Sequence, residues 1–158
     1  KQNNIDIIIH PESIIHGIVE FKDGSMNAGL SHPDMKSPIS YALNYPFKVK
    51  ANIKKLNLTL IKSLNFEEVD TSVFKAVNIS RSALKQGHAF VISLNAVNEV
   101  AVESFINNNI SFNSITNIIE ESLSKIKNSN INNLEDIFII DNKARIISKQ
   151  IIKNGSFK

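Results

Sequence analysis

Four histidines, a scatter of carboxylates and no cysteine set the chemistry open to this chain. Without cysteine there is neither a disulfide framework nor a thiol nucleophile. His10 and His16 stand six positions apart with Pro11 between them, which is no metal-ligand spacing, and there is no H-E-x-x-H pair. No residue is therefore assigned to a metal. The imidazole of His16 can donate a proton or a hydrogen bond near neutral pH, which makes it a candidate catalytic group for an anionic or carbonyl substrate. A partly buried structural histidine is the competing reading. His32 reads as a solvated loop residue and Asp34 as a local hydrogen-bond acceptor near a helix start. Met35 follows on a loop stiffened by Pro33, where its thioether can lie against a flat ring as a soft apolar contact, or fill core. Asn95, Asn98 and Glu99 share one side of a helix, which suits a register-fixing hydrogen-bond network or contact with a ligand. Gly17, Gly24, Gly29, Gly87 and Gly155 fall in no G-x-G-x-x-G phosphate loop.

A scaffold must bring these side chains together, and the stretch around Asp23-Gly24 is the strongest candidate. That dipeptide is the two-residue signal of a type I′ hairpin. Pairing Lys22 with Ser25 sets Phe21 opposite Met26, Val19 opposite Ala28 and Gly17 opposite Leu30 on an apolar face. The other face then pairs Glu20 with Asn27, Ile18 with Gly29 and His16 with Ser31. This register predicts His16 at the rim of the sheet, beside the loop from Ser31 to Met35. A slip of one residue exchanges the two faces. Ahead of the hairpin, Ile5, Ile7 and Ile9 alternate as a further strand of the same small sheet, closed by His10-Pro11.

Ser37-Pro38 predicts an N-cap and a first-turn proline, with one or two helical turns over Ile39–Leu43 ended by Tyr45-Pro46. Phe47 to Leu58 reads as an extended connector, followed by a short helix over Leu60–Leu64. Beyond Asp70 the apolar period becomes helical. Thr71 or Ser72 caps a segment carrying Val73, Ala76, Val77, Ser80, Ala83 and Leu84, stopped by Gly87. A second has Leu94, Val97, Ala101 and Phe105 on one face, and a third has Ile115, Ile118, Ile119, Leu123 and Ile126. The last opens on an Asn133/Asp136 capping box and carries Ile137, Ile140, Ala144, Ile147 and Ile151, with a possible break near Asp141. Four one-striped segments specify a bundle. The expected class is α+β: a small antiparallel or mixed sheet piece with a hairpin over residues 1–36, a connector with short helices over 37–69, and a four-helix bundle-like domain over 70–158.

The 158 residues are 21% charged and 42% apolar, an ordinary folded mixture with enough chain for one sizeable core. Eighteen basic residues against fifteen acidic ones leave a net charge of +3, and no basic run marks a nucleic-acid surface. No apolar run is expected to approach the length needed to span a membrane, and no basic-then-apolar leader opens the chain. The chain begins on Lys1 and enters an apolar strand pattern almost at once, so the expectation is a fragment or processed piece.

The run from Ile7 to Pro46 closely resembles the corresponding stretch of 1-deoxy-D-xylulose 5-phosphate reductoisomerases. The family pattern I-H-P-x-S-x-I-H stands here as Ile9-His10-Pro11, Ser13 and Ile15-His16, followed by Asp23-Gly24-Ser25 and by Pro33-Asp34-Met35 with Pro38-Ile39. Leu94 to Glu99 matches its L-N-A-x-N-E helix, and Asp141 to Arg145 a D-x-x-x-R near its C-terminus. The resemblance implies a homodimeric enzyme of non-mevalonate isoprenoid biosynthesis. It rearranges a phosphorylated sugar, 1-deoxy-D-xylulose 5-phosphate, and reduces the resulting aldehyde with NADPH, aided by Mg²⁺ or Mn²⁺. It implies that His16 is a catalytic-site histidine that orients groups near substrate and metal without being the sole acid or base, and that Met35 binds the cofactor at its nicotinamide end. The sheet piece would end the central catalytic domain and the helices would form the C-terminal domain.

The same resemblance implies parts not found in these residues: an NADP-binding domain, a D-S-E segment of metal ligands, an N-K-x-x-E segment and a lid tryptophan, since the chain has no Trp. The isolated chain is accordingly expected to be inactive, and its hairpin edges open to pairing with other chains. The alternative is a stand-alone, non-catalytic interaction or dimerisation module that keeps the scaffold. A bacterial-type cytoplasmic setting is expected, with a plastid-like organelle as the other possibility, and no nucleic-acid or membrane partner.

Overall fold

A computed structural model describes residues 4–155 and Phe157. The fold is α+β, as expected, with four strands, β1 (Ile8–Ile9), β2 (Ile15–Glu20), β3 (Met26–Leu30) and β4 (Glu67–Glu68), and six helices among the described residues. Its contacts separate into two units, one over Asp6–Val69 and the other from Asp70 onward.

In the first unit the strands do not form one sheet. β2 and β3 make a two-stranded hairpin, while β1 pairs antiparallel with β4, Ile8 opposite Glu68 and Ile9 opposite Glu67. The three-stranded sheet expected from the sequence is thus corrected. β1 reaches across the chain to a Glu-Glu pair whose own strand preference is poor. Helix α1 (Lys36–Asn44) starts at Met35, which has no capping side-chain bond, so Ser37 is not its cap. The Asp34 carboxylate instead accepts from the Lys36 N–H at 3.0 Å. Pro38 then sits in the first turn, where a missing N–H is harmless. Helix α2 (Leu58–Ile61) begins earlier than the periodicity predicted because the Asn57 carboxamide accepts from the Thr59 and Leu60 N–H groups. Ile14 is the one large apolar side chain of this unit buried below a tenth exposure.

The second unit is a helical core of α3 (Lys75–Gln86), α4 (His88–Ile106), α5 (Ser114–Ser124) and α6 (Leu134–Asn154). Thr71 and Ser72 do not cap α3. The Asp70 carboxylate holds the Ser72 N–H and hydroxyl in a turn ahead of the helix, which starts after Phe74. Gly87, at φ +117°, ends it in a conformation that favours glycine. The buried residues of α3 are Ile79 and Ala83, so the face is rotated from the expected one and leaves Val73 and Leu84 exposed. α4 packs against α3, α5 and α6 and buries Ala89, Phe90, Ala96, Val97, Val100 and Ala101. At 19 residues it is long and apolar enough by composition to cross a membrane, contrary to the sequence reading. Part of that apolarity is buried against three neighbouring helices, while Val91, Phe105 and Ile106 stay exposed.

Ile118 and Ile119 of α5 and Ala144 and Ile151 of α6 complete the same core. α6 runs unbroken through Asp141, correcting the expected break, because Asp141 accepts from Arg145 one turn on. Asn133 caps the Asp136 N–H at 2.9 Å, while Asp136 returns to the N–H of Asn132, one residue before the expected partner. Replacing the fully buried Ile118 by Ala is expected to lower unfolding free energy by about 2–5 kcal/mol. Leu134→Ala, on an exposed site, is expected to change it by less than about 0.5 kcal/mol, both read by urea denaturation.

Candidate functional site

The hairpin register differs from the expected one, and the reason lies in its turn. Phe21 N–H donates to Ser25 O at 2.8 Å and Gly24 N–H donates to Phe21 O at 3.0 Å, leaving Lys22-Asp23-Gly24 as a three-residue loop. Gly24 takes φ +83°, the left-handed residue that closes such a loop. Asp23 braces it by accepting from the Ser25 hydroxyl at 2.7 Å and the Ser25 N–H at 3.0 Å. These two bonds, the hydroxyl's first, hold the Asp23 carboxyl below its usual range. The pairs are consequently Glu20 with Met26, Val19 with Asn27, Ile18 with Ala28 and Gly17 with Gly29. A second irregularity follows at once: the next pair is Ile15 with Leu30, so His16 is the extra residue of a bulge. His16 is therefore not opposite Ser31. Ser31 N–H instead donates to Ile14 O at 3.1 Å, which ties the start of the following loop to the start of β2.

That tie brings the sequence-predicted residues together. His16 and Met35 line one open cleft of about 430 Å³, with Ile8, His10, Ser13, Ile15, Pro33 and Asp34. The His16 imidazole is exposed and has no hydrogen bond or ion pair with the described residues. Met35, at the helix start, is 62% exposed, so it is not filling core. Asp34 fixes the loop by accepting from the Lys36 N–H, and that bond first, then the Lys36 charge, hold its carboxyl below the usual range. The His32 carbonyl accepts from Asp34 N–H at 2.6 Å and from the Ser31 hydroxyl at 3.1 Å, so His32 contributes main-chain structure to the loop. A groove between α3 and α5, about 470 Å³ and lined by Lys75, Asn78, Gln86 and Glu120 among others, has no histidine.

Of the polar trio on α4, Asn95 donates to Glu99 Oε1 at 3.2 Å. Glu99 Oε2 accepts from Arg145 Nη2 at 2.6 Å, and Arg145 Nε donates to Asp141 at 2.7 Å. Hydrogen bonds to Asp141 and then Glu99 raise the Arg145 pKa above its ordinary value. The network joins α4 to α6, and its signal in the sequence was the four-residue spacing of Asp141 and Arg145. Asn98 is exposed. Among the described residues no group of three His, Cys, Asp or Glu side chains is placed to hold a metal ion. Sequence reasoning missed the part played by Glu12 and Asn65: the Glu12 carboxylate accepts from the Asn65 N–H at 3.1 Å and from its carboxamide. Contacts across more than 50 positions leave no local pattern to read.

Residues 30–147 match the family model described as the DXP reductoisomerase C-terminal domain. A 1-deoxy-D-xylulose 5-phosphate reductoisomerase of Vesicomyosocius okutanii subsp. Calyptogena okutanii (strain HA) is 41% identical over 149 residues, covering 94% of this chain and 39% of the relative. One from Acinetobacter baumannii (strain SDF) is 39% identical over 158 residues, covering 100% of this chain and 40% of the relative. Among solved structures, the Zymomonas mobilis reductoisomerase in complex with NADPH aligns at a TM-score of 0.87 and 35% identity, over 95% of this chain and 40% of that one. A DOX-P reductoisomerase in complex with NADPH, fosmidomycin and magnesium aligns at 0.81 and 34% identity, over 94% and 40%. The chain thus spans about two-fifths of the length of the curated relatives it matches.

Gly24→Ala meets no steric obstacle, since a Cβ there has nothing within 4 Å, but it strains a positive φ. It is expected to speed amide exchange at Phe21 and Val19 by about 5–30-fold, equivalent to about 1–2 kcal/mol. Gly24→Asn is expected to do much less, because Asn tolerates this conformation. The lowered carboxyls add a pH dependence. Each favours the folded loop above its unfolded pKa and loses that contribution as pH falls through its folded value. Carboxyl titration by NMR is expected to place the Asp23 and Asp34 midpoints below their ordinary 3.8.

Proposed function

This chain belongs to the 1-deoxy-D-xylulose 5-phosphate reductoisomerase family and carries its C-terminal domain, and on that footing we propose that it forms part of an NADPH-dependent enzyme converting 1-deoxy-D-xylulose 5-phosphate to 2-C-methyl-D-erythritol 4-phosphate. The activity is proposed for the whole reductoisomerase, of which this segment corresponds to about two-fifths. The carrying observation is that the His16 imidazole, unengaged by the described residues, and an exposed thioether, Met35, line one cleft.

In this reading His16 donates hydrogen bonds that orient the oxygens of the phosphorylated sugar as its carbon skeleton rearranges. Met35 offers a soft apolar surface to the nicotinamide ring and shields that side from water. NADPH supplies the hydride that reduces the rearranged aldehyde. Mg²⁺ or Mn²⁺ belongs to the proposed reaction, but no three candidate ligands converge among the described residues, so no step is routed through this chain's side chains to a metal. Residues 1–36 close the catalytic domain, 37–69 form a connector and 70–158 the C-terminal domain. Exposed Val19, Phe21 and Met26 on the hairpin fit a homodimer contact of the whole enzyme in the bacterial cytoplasm.

In the whole reductoisomerase, followed by substrate-dependent NADPH oxidation with Mg²⁺, His16→Ala is expected to lower kcat/KM by about 10²-fold or more. Met35→Ala is expected to raise the KM for NADPH by about 3–10-fold. The isolated 158-residue chain is expected to show no turnover. Turnover by that chain alone, or an unaffected His16→Ala enzyme, would overturn the reading.

A further inference from the structure

We propose that His10, Glu12 and Asn65 form a clamp that positions Ser13 and His16 in the cleft, which makes the three of them positioning residues. The functional weight of the clamp rests on reading the cleft as part of the reductoisomerase site.

The clamp grips Asn65 by its backbone N–H, its backbone carbonyl and its carboxamide N–H. Glu12 takes the Asn65 N–H at 3.1 Å and the Asn65 carboxamide, while His10 Nδ1 donates to the Asn65 carbonyl at 2.8 Å. The same Nδ1 lies 3.0 Å from Glu12 Oε2, and the imidazole stacks on Phe66 at 5.0 Å between centroids. The His10 side chain is only 7% exposed, and its Nε2 is buried with no hydrogen-bond partner among the described residues. The ring is therefore held for its Nδ1–H and its stacking, and not to present a group to a ligand. The Asn65 bonds, backbone first, also hold the Glu12 carboxyl below its ordinary value.

What the clamp secures is the turn between its two members. Ser13 N–H donates to His10 O at 3.0 Å, and Ser13 adopts φ +52°, a left-handed backbone that non-glycine residues rarely take. Such conformations persist only where their surroundings over-determine them. Ser13 leads directly into buried Ile14 and then into the bulge at His16. Relaxing the turn would swing the start of β2, and with it both Ser13 and His16, which line the cleft beside His10.

The test reads position without turnover, using the 158-residue chain labelled at histidine, at isoleucine methyls and at backbone amides. Glu12→Ala is expected to move the His16 Cε1–H and Ser13 amide resonances by more than a linewidth and to leave the Ile118 methyl in place. His10→Asn keeps a donor near the Nδ1 position and is expected to hold His16 and Ser13 close to their original shifts. Unmoved His16 and Ser13 resonances in Glu12→Ala would overturn the clamp. Should Glu12→Ala fail to fold, amide exchange on the unsubstituted chain decides. One opening event must free both groups, so the Ser13 and Asn65 amides are expected to open at equilibrium constants within about twofold of each other, and a gap above about tenfold overturns the proposal. None of these readouts depends on catalysis, so their failure leaves the functional reading standing, and an inactive whole enzyme leaves the clamp standing.

Discussion

The cleft depends on one main-chain hydrogen bond, from Ser31 N–H to the Ile14 carbonyl, and on the bulge that sets it up. Because β3 ends at Leu30, the loop carrying Pro33, Asp34 and Met35 must leave the sheet wherever that end is pinned. The bond pins it beside the first residues of β2. His16, as the extra residue of the bulge, is released from the regular ladder at the same spot. An imidazole with no partner among the described residues and a loop with an exposed thioether are thereby set on one opening.

The two units are built on different terms. From Asp70 onward, α4 is enclosed by three helices, and Val97, Ile118 and Ala144 are sealed from water. Burial of this kind supplies roughly 1.5–3 kcal/mol per large side chain. The unit over Asp6–Val69 has Ile14 as its deeply buried anchor and leaves Leu43, Tyr45, Phe47 and Leu60 mostly in solvent. Its order leans on turns and polar bonds: Asp23 with Ser25, Asp34 with Lys36, Asn57 with Thr59, Glu12 with Asn65. Local bonds of that type position a site well but contribute little stability at exposed positions.

The helices of the second unit were legible because a 3.6-residue period survives in any context that buries one face. The stripe Ile118, Ile119, Ala144 and Ile151 was read directly. α3 was misread because Val73 and Leu84 supply apolar residues that the fold leaves outside, whereas Ile79 lies between the expected positions. The hairpin was legible as a hairpin but not in register. Asp-Gly permits a two-residue turn, and here it forms the end of a three-residue one. That slip of one and the bulge at His16 act in the same sense, so together they shift the pairing by two. Ile15 and Leu30 therefore regain the face parity expected for this end of the sheet, although no individual pair matches. The nearness of His16 to the Met35 loop survived both errors because it follows from chain connectivity. β1 with β4, and Glu12 with Asn65, were invisible, since nothing local distinguishes a strand or carboxylate whose partner lies more than 50 positions away.

The most direct measurement of the central claim is paramagnetic broadening from a single nitroxide. The chain has no cysteine, so Met35→Cys gives a unique attachment point. The account expects the His16 imidazole signals to broaden strongly and the Gly24 amide, roughly 25 Å farther along the hairpin at about 3.3 Å per residue, to broaden much less. Sharp His16 signals, or a Gly24 amide broadened as much as His16, would contradict it.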